Sequence, residues 1–169
     1  IKAHRIESLI DLSCTNTKHW MPAVLQYLEF EVPGFRYHCV VDDDKKMSET
    51  FDYYKHLSSI EFVVGTEYNF MKFPSVHLAL LWNIMGVISA KRVGHMFKGI
   101  AKSRIKYILL SNYPHIKQNP SSPVENGWVN VRRTPYKFGQ PLRIIQNISS
   151  DPSIAKQILF FDSANIRKA

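Results

Sequence analysis

The stretch that decides the fold is Ser8-Leu9-Ile10-Asp11-Leu12-Ser13-Cys14-Thr15-Asn16-Thr17-Lys18-His19-Trp20. Its first residues predict a buried strand over Ser8 to Leu12, and the small polar residues that follow predict a turn into a helix. In open α/β sheets, ligands of the nucleotide type bind beyond the carboxyl end of such a strand, against backbone N–H groups of the next helix. The turn after Asp11 contains no glycine, although a close approach of backbone to ligand usually requires one. The stretch therefore predicts a cofactor-binding fold with an unusual cofactor loop.

The rest of the chain alternates between strand-like and helix-like segments. Further strands are predicted at Phe35 to Val41, Ile60 to Val64, Val76 to Trp82 and Ile105 to Leu110. Helices are predicted at Trp20 to Phe30, Ser48 to Leu57 and Ala90 to Ser103. This alternation is typical of a parallel sheet with helices on both faces. The last segments, Leu142 to Gln146 and Gln157 to Asp162, predict an antiparallel edge pair. The predicted fold class is α/β: three-layer and doubly wound, with a mostly parallel sheet and a C-terminal antiparallel hairpin.

The chain reads as a single domain over residues 1–169. Its longest predicted loop, Asn112 to Gln140, is rich in Pro, Asn and Ser, and we expect it to bury little. Loops of this length in compact domains are usually functional or partly disordered. We interpret residues 112–140 as a loop on the substrate side of the site.

Composition narrows the classes of partner and compartment. The formal net charge is +8 with a pI near 9.5, so an RNA or an acidic protein is a candidate partner, although the scattered basic residues favour a solvated basic surface. No apolar run is long enough to span a bilayer, and no N-terminal stretch has the order of a signal peptide. The cysteines, Cys14 and Cys39, are interpreted as buried thiols of a protein in a reducing intracellular compartment. The seven histidines are dispersed, and no spacing of Cys and His predicts a metal site.

Several motifs resemble those of the class I S-adenosylmethionine-dependent methyltransferases. Residues 11–21, Asp-Leu-Ser-Cys-Thr-Asn-Thr-Lys-His-Trp-Met, are similar to an Asp-x-x-Cys-Gly-Asp-x-x-Trp-Met pattern of a bacterial-type group, with one extra residue. Residues 38–42, His-Cys-Val-Val-Asp, resemble its Tyr-Ile-Gly-Val-Asp. Residues 76–89 follow its Val-Asp-Leu-Val-Leu-Cys-Arg-Asp-Val-Leu-Val-His-Leu-Ser pattern without gaps. Residues 125–142 resemble its Gly-Asp-Trp-Arg…Pro-Phe-x-Phe-Pro-x-Pro-Leu stretch. The resemblance covers residues 8–163 and implies a Rossmann-like methyltransferase fold.

The resemblance implies a site for S-adenosylmethionine with a methyl acceptor of unknown identity. We expect the loop after the first strand to hold the methionine part of the cofactor, and the acid after the second strand to bind its ribose hydroxyls. The segment after the third strand is expected to contact adenine. The predicted cofactor-binding residues are Asp11, Ser13, Thr15, Asn16, Trp20, Asp42, Thr66, Glu67 and Asn83.

Simpler interpretations exist for some of these residues. Asp11 can be a turn cap, Asp42 can complement the dipole of the following helix, and Trp20 can pack its helix onto the sheet. Thr66 and Glu67 can be ordinary residues of a surface loop.

Candidate catalytic residues follow the fourth and fifth predicted strands. Asn83 can hydrogen-bond a substrate, and Tyr113 and His115 are candidates for a general base. His115 can equally be a surface histidine that precedes a proline-rich loop.

The sequence departs from the family pattern at positions where the family has ionisable residues. Trp82, Asn83 and Val87 stand where the group has Arg, Asp and His, and no glycine follows Asp11. Two hypotheses therefore remain open: an S-adenosylmethionine-dependent methyltransferase, and a catalytically inactive module of the same fold that acts in binding or assembly through its basic surface.

Overall fold

A computed structural model of the chain describes residues 2–41, 43–65, 75–124, 127–146 and 156–166. The strands are β1 (Ser8–Asp11), β2 (Arg36–Val41), β3 (Ile60–Val64), β4 (Leu78–Leu81), β5 (Tyr107–Asn112), β6 (Arg143–Gln146) and β7 (Gln157–Asp162). The helices are α1 (Cys14–Thr17), α2 (Met21–Glu31), α3 (Asp44–Tyr54), α4 (Ala90–Lys102) and α5 (Ser163–Ile166), preceded by a 3₁₀ turn at Lys2–His4. Among the described residues, no helix has the length and apolar character needed to cross a membrane.

Within the described ranges, the strands form one seven-stranded sheet in the order β3-β2-β1-β4-β5-β7-β6. The pairs β1–β2, β2–β3, β1–β4 and β4–β5 are parallel, whereas β7 is antiparallel to both β5 and β6. The predicted fold class and its C-terminal antiparallel hairpin are confirmed. The strand order reverses between β1 and β4, and in open α/β sheets ligands bind in the crevice outside the carboxyl ends of the strands at such a reversal.

The strands are buried on both faces, which gives the fold its three layers. Successive side chains of β1 alternate between two cores: Leu9 packs with the apolar side chains of α2, and Ile10 packs with those of α4. Helices α2 and α3 therefore cover one face of the sheet, and α4 covers the other. This double cover is why the strands read as nearly continuous apolar runs in the sequence.

The third helix begins earlier than predicted. It starts at Asp44 and not at Ser48, because the Asp43 carboxylate accepts a hydrogen bond from the Lys46 N–H at 2.8 Å and caps the first turn. It ends at Tyr54, short of the predicted Leu57.

The fifth strand is displaced toward the C-terminus relative to the prediction. It covers Tyr107–Asn112 and not Ile105 to Leu110, because its antiparallel pairing with β7 continues to the pair Asn112↔Gln157. This pairing brings the N-terminal end of β7 to the carboxyl end of β5.

The long loop after β5 contributes several side chains to the core, so the expectation that it buries little is wrong. Val129 and Val131 are 1% and 0% exposed, and Phe138 also lies in the core beneath α4. The side chain of Asn119 donates to the carbonyl oxygens of Asn130 at 2.8 Å and Thr134 at 2.9 Å. Side-chain amides here replace the backbone partners that a helix or strand would supply, so a segment rich in Asn and Pro can still fill a core.

The cysteines are not thiols, contrary to the sequence interpretation. Cys14 and Cys39 form a disulfide, and both are fully buried. The parallel register of β1 and β2 pairs Asp11 with Cys39. Cys14 begins α1 immediately beyond β1, so the two sulfurs meet under the loop.

Candidate functional site

The carboxyl edge of the sheet collects most of the residues singled out from the sequence. Around the ends of β1 and β4 lie Asp11, Ser13, Thr15, Asn16, Trp20 and Asn83, and just after β5 lie Tyr113 and His115. Three further predicted residues, Asp42, Thr66 and Glu67, lie outside the described residues.

Asp11 is the structural centre of the loop after β1. Its carboxylate is fully buried. One oxygen accepts from the Ser13 N–H at 2.8 Å and the Ser13 hydroxyl at 2.9 Å. The other accepts from the Thr17 hydroxyl at 2.5 Å and the Tyr37 hydroxyl at 2.9 Å. Both oxygens are therefore engaged by donors of the chain itself, and the carboxylate holds the turn in place.

The titration of this cluster follows from its burial. Burial raises the pKa of Asp11, and the hydrogen bonds from Thr17, Ser13 and Tyr37 oppose that rise. The pKa of Tyr37 is well above its usual value, first because of burial and then because of the Asp11 charge. Burial also raises the pKa of Tyr54 to about 12. Both phenols therefore remain protonated and available as donors at neutral pH.

Ser13 connects the loop after β1 to the end of β4. Its hydroxyl donates to Asp11 and accepts from the backbone N–H of Trp82 at 2.8 Å. The two sides of the crevice are thereby fixed relative to each other. Thr15 is half-buried and Asn16 is exposed in the short helix α1 between them.

An aromatic pair and a lysine narrow the crevice at the end of β4. The rings of Trp20 and Trp82 lie 5.0 Å apart between centroids. The ammonium of Lys156, one residue before β7, lies 3.2 Å from the centroid of the Trp82 ring and 5.7 Å from that of Tyr113. Burial lowers the pKa of Lys156 to about 8. The contact with the aromatic faces favours the charged form, so at neutral pH a largely protonated lysine covers Trp82.

Asn83 has an uncommon backbone conformation at the same edge. Its φ is +56°, a left-handed conformation that asparagine adopts more readily than most residues. Its N–H donates to the Ser111 hydroxyl at 2.8 Å, and its side-chain oxygen accepts from the Tyr113 hydroxyl at 2.9 Å. Gly127 packs against it so closely that a Cβ there would lie 1.9 Å from the Asn83 carbonyl oxygen. The backbone and the amide oxygen of Asn83 are therefore fixed from several sides.

Tyr113 and His115 lie in an aromatic group with Trp128. The Tyr113 ring stacks on Trp128 with centroids 5.1 Å apart, and the His115 ring meets both edge-on. Burial raises the pKa of Tyr113, partly opposed by its hydrogen bond to Asn83. Tyr113 therefore stays protonated and acts as a donor to Asn83. The Nδ1 atom of His115 is buried and has no hydrogen-bond partner among the described residues.

The sequence interpretation did not identify several residues of this edge. Tyr37 donates to Asp11 from the neighbouring strand. Tyr37 and Cys39 are two residues apart along β2, and this spacing indicates only that their side chains lie on the same face of the sheet. Nothing near Lys156 in the sequence marks it as a partner of Trp82, because the contact depends on how β7 is placed. Among the described residues, no cluster of His, Cys, Asp and Glu has the arrangement of a metal site.

Comparison with known proteins identifies the fold. No family model and no curated protein matches the chain. Among solved structures, the N-methyltransferase NodS from Bradyrhizobium japonicum is 7% identical with a TM-score of 0.60, over 95% of this chain and 88% of NodS. NodS in complex with S-adenosyl-L-homocysteine matches with a TM-score of 0.62 and 7% identity, over 95% of this chain and 80% of that one.

Longer proteins share the same core. TehB from Haemophilus influenzae is 13% identical with a TM-score of 0.59, over 95% of this chain and 59% of TehB. Human N-acetylserotonin methyltransferase in complex with S-adenosylmethionine is 14% identical with a TM-score of 0.57, over 96% of this chain and 49% of the enzyme. The chain therefore has the fold of the class I S-adenosylmethionine-dependent methyltransferases, as its motifs predicted.

Proposed function

We propose that this chain binds S-adenosylmethionine at the carboxyl edge between β1 and β4 and transfers its methyl group to an acceptor beside the loop of residues 112–140. The observation that carries the proposal is the fixed, left-handed Asn83 at the end of β4. Strained residues that their surroundings hold in place concentrate at functional sites. Here the strain lies at the reversal of strand order, where this fold class binds its ligands.

The amide of Asn83 is oriented for a ligand. Its oxygen accepts from Tyr113, and the amide nitrogen donates no hydrogen bond to another described residue. An amide nitrogen carries two donor hydrogens. It can donate to the carboxylate of a bound methionine moiety or to an acceptor oxygen. Tyr113 is then a positioning residue, because it sets which end of the amide points outward.

The described residues of the crevice offer neutral donors to the cofactor. Both oxygens of Asp11 are engaged within the chain, so this carboxylate supports the loop and does not contact the ligand. The loop itself offers the hydroxyl of Thr15, the amide of Asn16 and the backbone of α1. On the adenosine side, the proposal assigns Asp42 to the ribose hydroxyls and Thr66 and Glu67 to adenine, on the basis of the sequence.

Methyl transfer requires little from the protein beyond the positioning of the cofactor and the acceptor. When bound, S-adenosylmethionine would supply an electrophilic methyl group, carried on its sulfonium sulfur, to an acceptor with a lone pair. The chain's contribution is to hold the acceptor in line and to exclude water, and such positioning accounts for a large share of the rate in transfers of this kind. His115, whose ring lies beside Tyr113 and Trp128 at this edge, is the residue we assign to accept the proton that the acceptor loses.

A specific observation favours the alternative of an inactive module. Lys156 covers the Trp82 ring at 3.2 Å and Trp82 packs on Trp20, so a cation of the chain already lies in the crevice that we assign to a cofactor with a positively charged sulfonium. If this packing is permanent, the crevice is closed to the cofactor. The basic surface, with RNA or an acidic protein as its partner, would then carry the function.

Isothermal titration of the purified chain with S-adenosylmethionine and with S-adenosylhomocysteine tests the proposal. We expect both to bind, with the uncharged sulfur of the second favoured because it is not repelled by Lys156. Asn83→Gly is the decisive variant, since glycine accepts the same φ and only the amide is lost. We expect it to weaken both ligands by about tenfold or more.

Controls separate a lost contact from a lost fold. Tyr113→Phe keeps the aromatic stack but frees the amide to rotate, so it should weaken binding less than Asn83→Gly does. Thermal denaturation of both variants reports whether the fold is retained. The absence of binding in the wild-type chain and in Lys156→Ala contradicts the proposal and leaves the inactive module. Binding that appears only in Lys156→Ala means that the lysine closes an otherwise competent crevice.

A further inference from the structure

A second cleft opens at the corner of the sheet where β5 and β7 meet. It has a volume of about 390 Å³, within the range of cavities that hold small ligands. Most of its lining is polar: Asn112, Asn130, Arg132, Arg133 and Gln157, with Pro114 and Ile144 completing the wall.

The walls of this cleft are fixed by buried amides. Asn112 is 1% exposed; its side chain accepts from the Val131 N–H at 2.9 Å and donates to the Gln157 side chain at 3.0 Å. These bonds attach the loop and the start of β7 to the end of β5. The position of the cleft is therefore set by the sheet and not by a free loop.

The turn that carries the arginines is fixed in the same way. The side chain of Asn130 donates to the carbonyl oxygens of Pro114 at 3.2 Å and Ile116 at 3.1 Å, and it accepts from the Arg132 N–H at 3.1 Å. The Arg133 N–H donates to the Asn130 carbonyl at 3.0 Å. Both arginines thus start from an ordered backbone, which reduces the entropy lost when their side chains bind a ligand.

The guanidinium groups of Arg132 and Arg133 have no carboxylate partner within the described part of the chain. The ion pairs present there involve His38, Lys45 and Lys55. Arg132 and Arg133 are both exposed, and two guanidinium groups that line one cleft raise the local positive potential, which favours an anion there. Guanidinium groups bind carboxylate and phosphate oxygens with paired, charge-assisted hydrogen bonds.

We propose that the Arg132–Arg133 cleft binds an oxyanion, a carboxylate or a phosphate, and that this group belongs to the methyl acceptor. The second clause rests on the proposed function. Asn112 in the wall of the cleft directly precedes Tyr113, whose hydroxyl holds Asn83. An acceptor anchored in the cleft by its anionic group would therefore lie at the same edge of the sheet as Asn83. The acceptor class is a small organic acid or phosphate ester, of a size that the cavity admits.

The test is direct binding of two probes, inorganic phosphate and succinate, to the full chain without any methyl donor. Arg132→Gln and Arg133→Gln are compared with Arg104→Gln, which removes one positive charge from an exposed position just before β5, at the opposite edge of the sheet. We expect Arg104→Gln to retain wild-type affinity. Each cleft variant should raise the Kd for at least one probe by about tenfold. The probe with the lower Kd distinguishes a phosphate from a carboxylate.

Equal weakening of binding in all three variants overturns the proposal, because it would mean that the overall positive charge attracts anions without a site. Absence of binding to the wild-type chain overturns it as well. Titration with S-adenosylmethionine keeps the two claims apart. If the cleft variants lose the oxyanion and the wild-type chain binds no S-adenosylmethionine, the oxyanion site stands and its assignment to a methyl acceptor falls with the proposed function.

Discussion

Gly127 packs against the backbone of Asn83 with no room for a side chain, and the sequence around the two residues does not indicate this. Gly127 has φ +66° and lies where a Cβ would be 1.9 Å from the Asn83 carbonyl oxygen. We expect Gly127→Ala to lower the free energy of unfolding by about 3 kcal/mol or more, because alanine adds both backbone strain and a clash with backbone. Urea denaturation measures this change.

Gly94 supplies a matched control for that substitution. It lies inside α4, and a Cβ there meets nothing within 4 Å. Gly94→Ala should therefore raise the free energy of unfolding by about 0.8 kcal/mol through helix propensity alone. If both substitutions have similar effects, the close contact between Gly127 and Asn83 is not part of the folded state.

Asp11 illustrates how one residue can be located from the sequence while its role is not. The strand and its terminal acid were predictable from the apolar run, whereas the donors from Thr17 and Tyr37 depend on the disposition of α1 and β2. We expect Asp11→Ala to cost about 3 kcal/mol of stability, since it leaves several buried donors without an acceptor. Asp11→Asn keeps one acceptor oxygen and should cost less. Equal losses for the two variants, measured by urea denaturation, would contradict this account.

At the scale of elements, the sequence predicted the strands better than the boundaries of the helices and loops. Buried strands are readable because their apolar runs are set by cover on both faces. The start of α3 was misplaced because its cap is a side-chain hydrogen bond, from the Lys46 N–H to the Asp43 carboxylate, that the apolar pattern of the helix does not show. The loop after β5 was misjudged because its order comes from the side-chain hydrogen bonds of Asn119 and Asn130, which composition does not reveal.

The contact between Lys156, just before β7, and Trp82, just after β4, predicts that the stability of the chain depends on pH. Lys156 in the folded chain has a pKa of about 8, against 10.5 for an ordinary lysine. Between these two pKa values Lys156 is protonated in the unfolded chain and neutral in the folded chain. The free energy of unfolding should therefore increase as the pH rises through this window. Loss of the proton also removes the cation from the Trp82 ring. We expect tryptophan fluorescence to change with a midpoint near pH 8.

The fluorescence titration has two controls. Lys156→Met should abolish the transition near pH 8. Lys106→Met, which removes a lysine 5.1 Å from the Tyr107 ring centroid at the other end of β5, should preserve it. A transition that persists in Lys156→Met would mean that another group near the tryptophans titrates in this range, and the contact between Lys156 and Trp82 would lose its support.

At the scale of the whole molecule, the fold was predictable and the site only in part. Motifs along the chain and the order of strands and helices define the sheet, so the positions of Asp11, Asn83 and Tyr113 at one edge follow from topology. The contacts of Lys156 with Trp82 and of Arg133 with the cleft require segments far apart in sequence to meet. No local pattern encodes such pairs. The disulfide belongs to the same class, because the two cysteines come together only through the register of β1 and β2.

That disulfide gives the molecule a cross-link between the loop after β1 and the second strand. It closes a segment of 25 residues, and by the chain-entropy argument such a link stabilises the fold by about 3 kcal/mol. We expect a reductant to lower the melting temperature of the wild-type chain. The double variant Cys14→Ser with Cys39→Ser should melt near the temperature of the reduced wild type and should not respond to reductant. Since both sulfurs lie beneath the Asp11 turn, reduction should also weaken binding of S-adenosylhomocysteine if the proposed site is correct. A reductant that leaves both the melting temperature and the affinity unchanged would contradict a role for the disulfide in holding the loop.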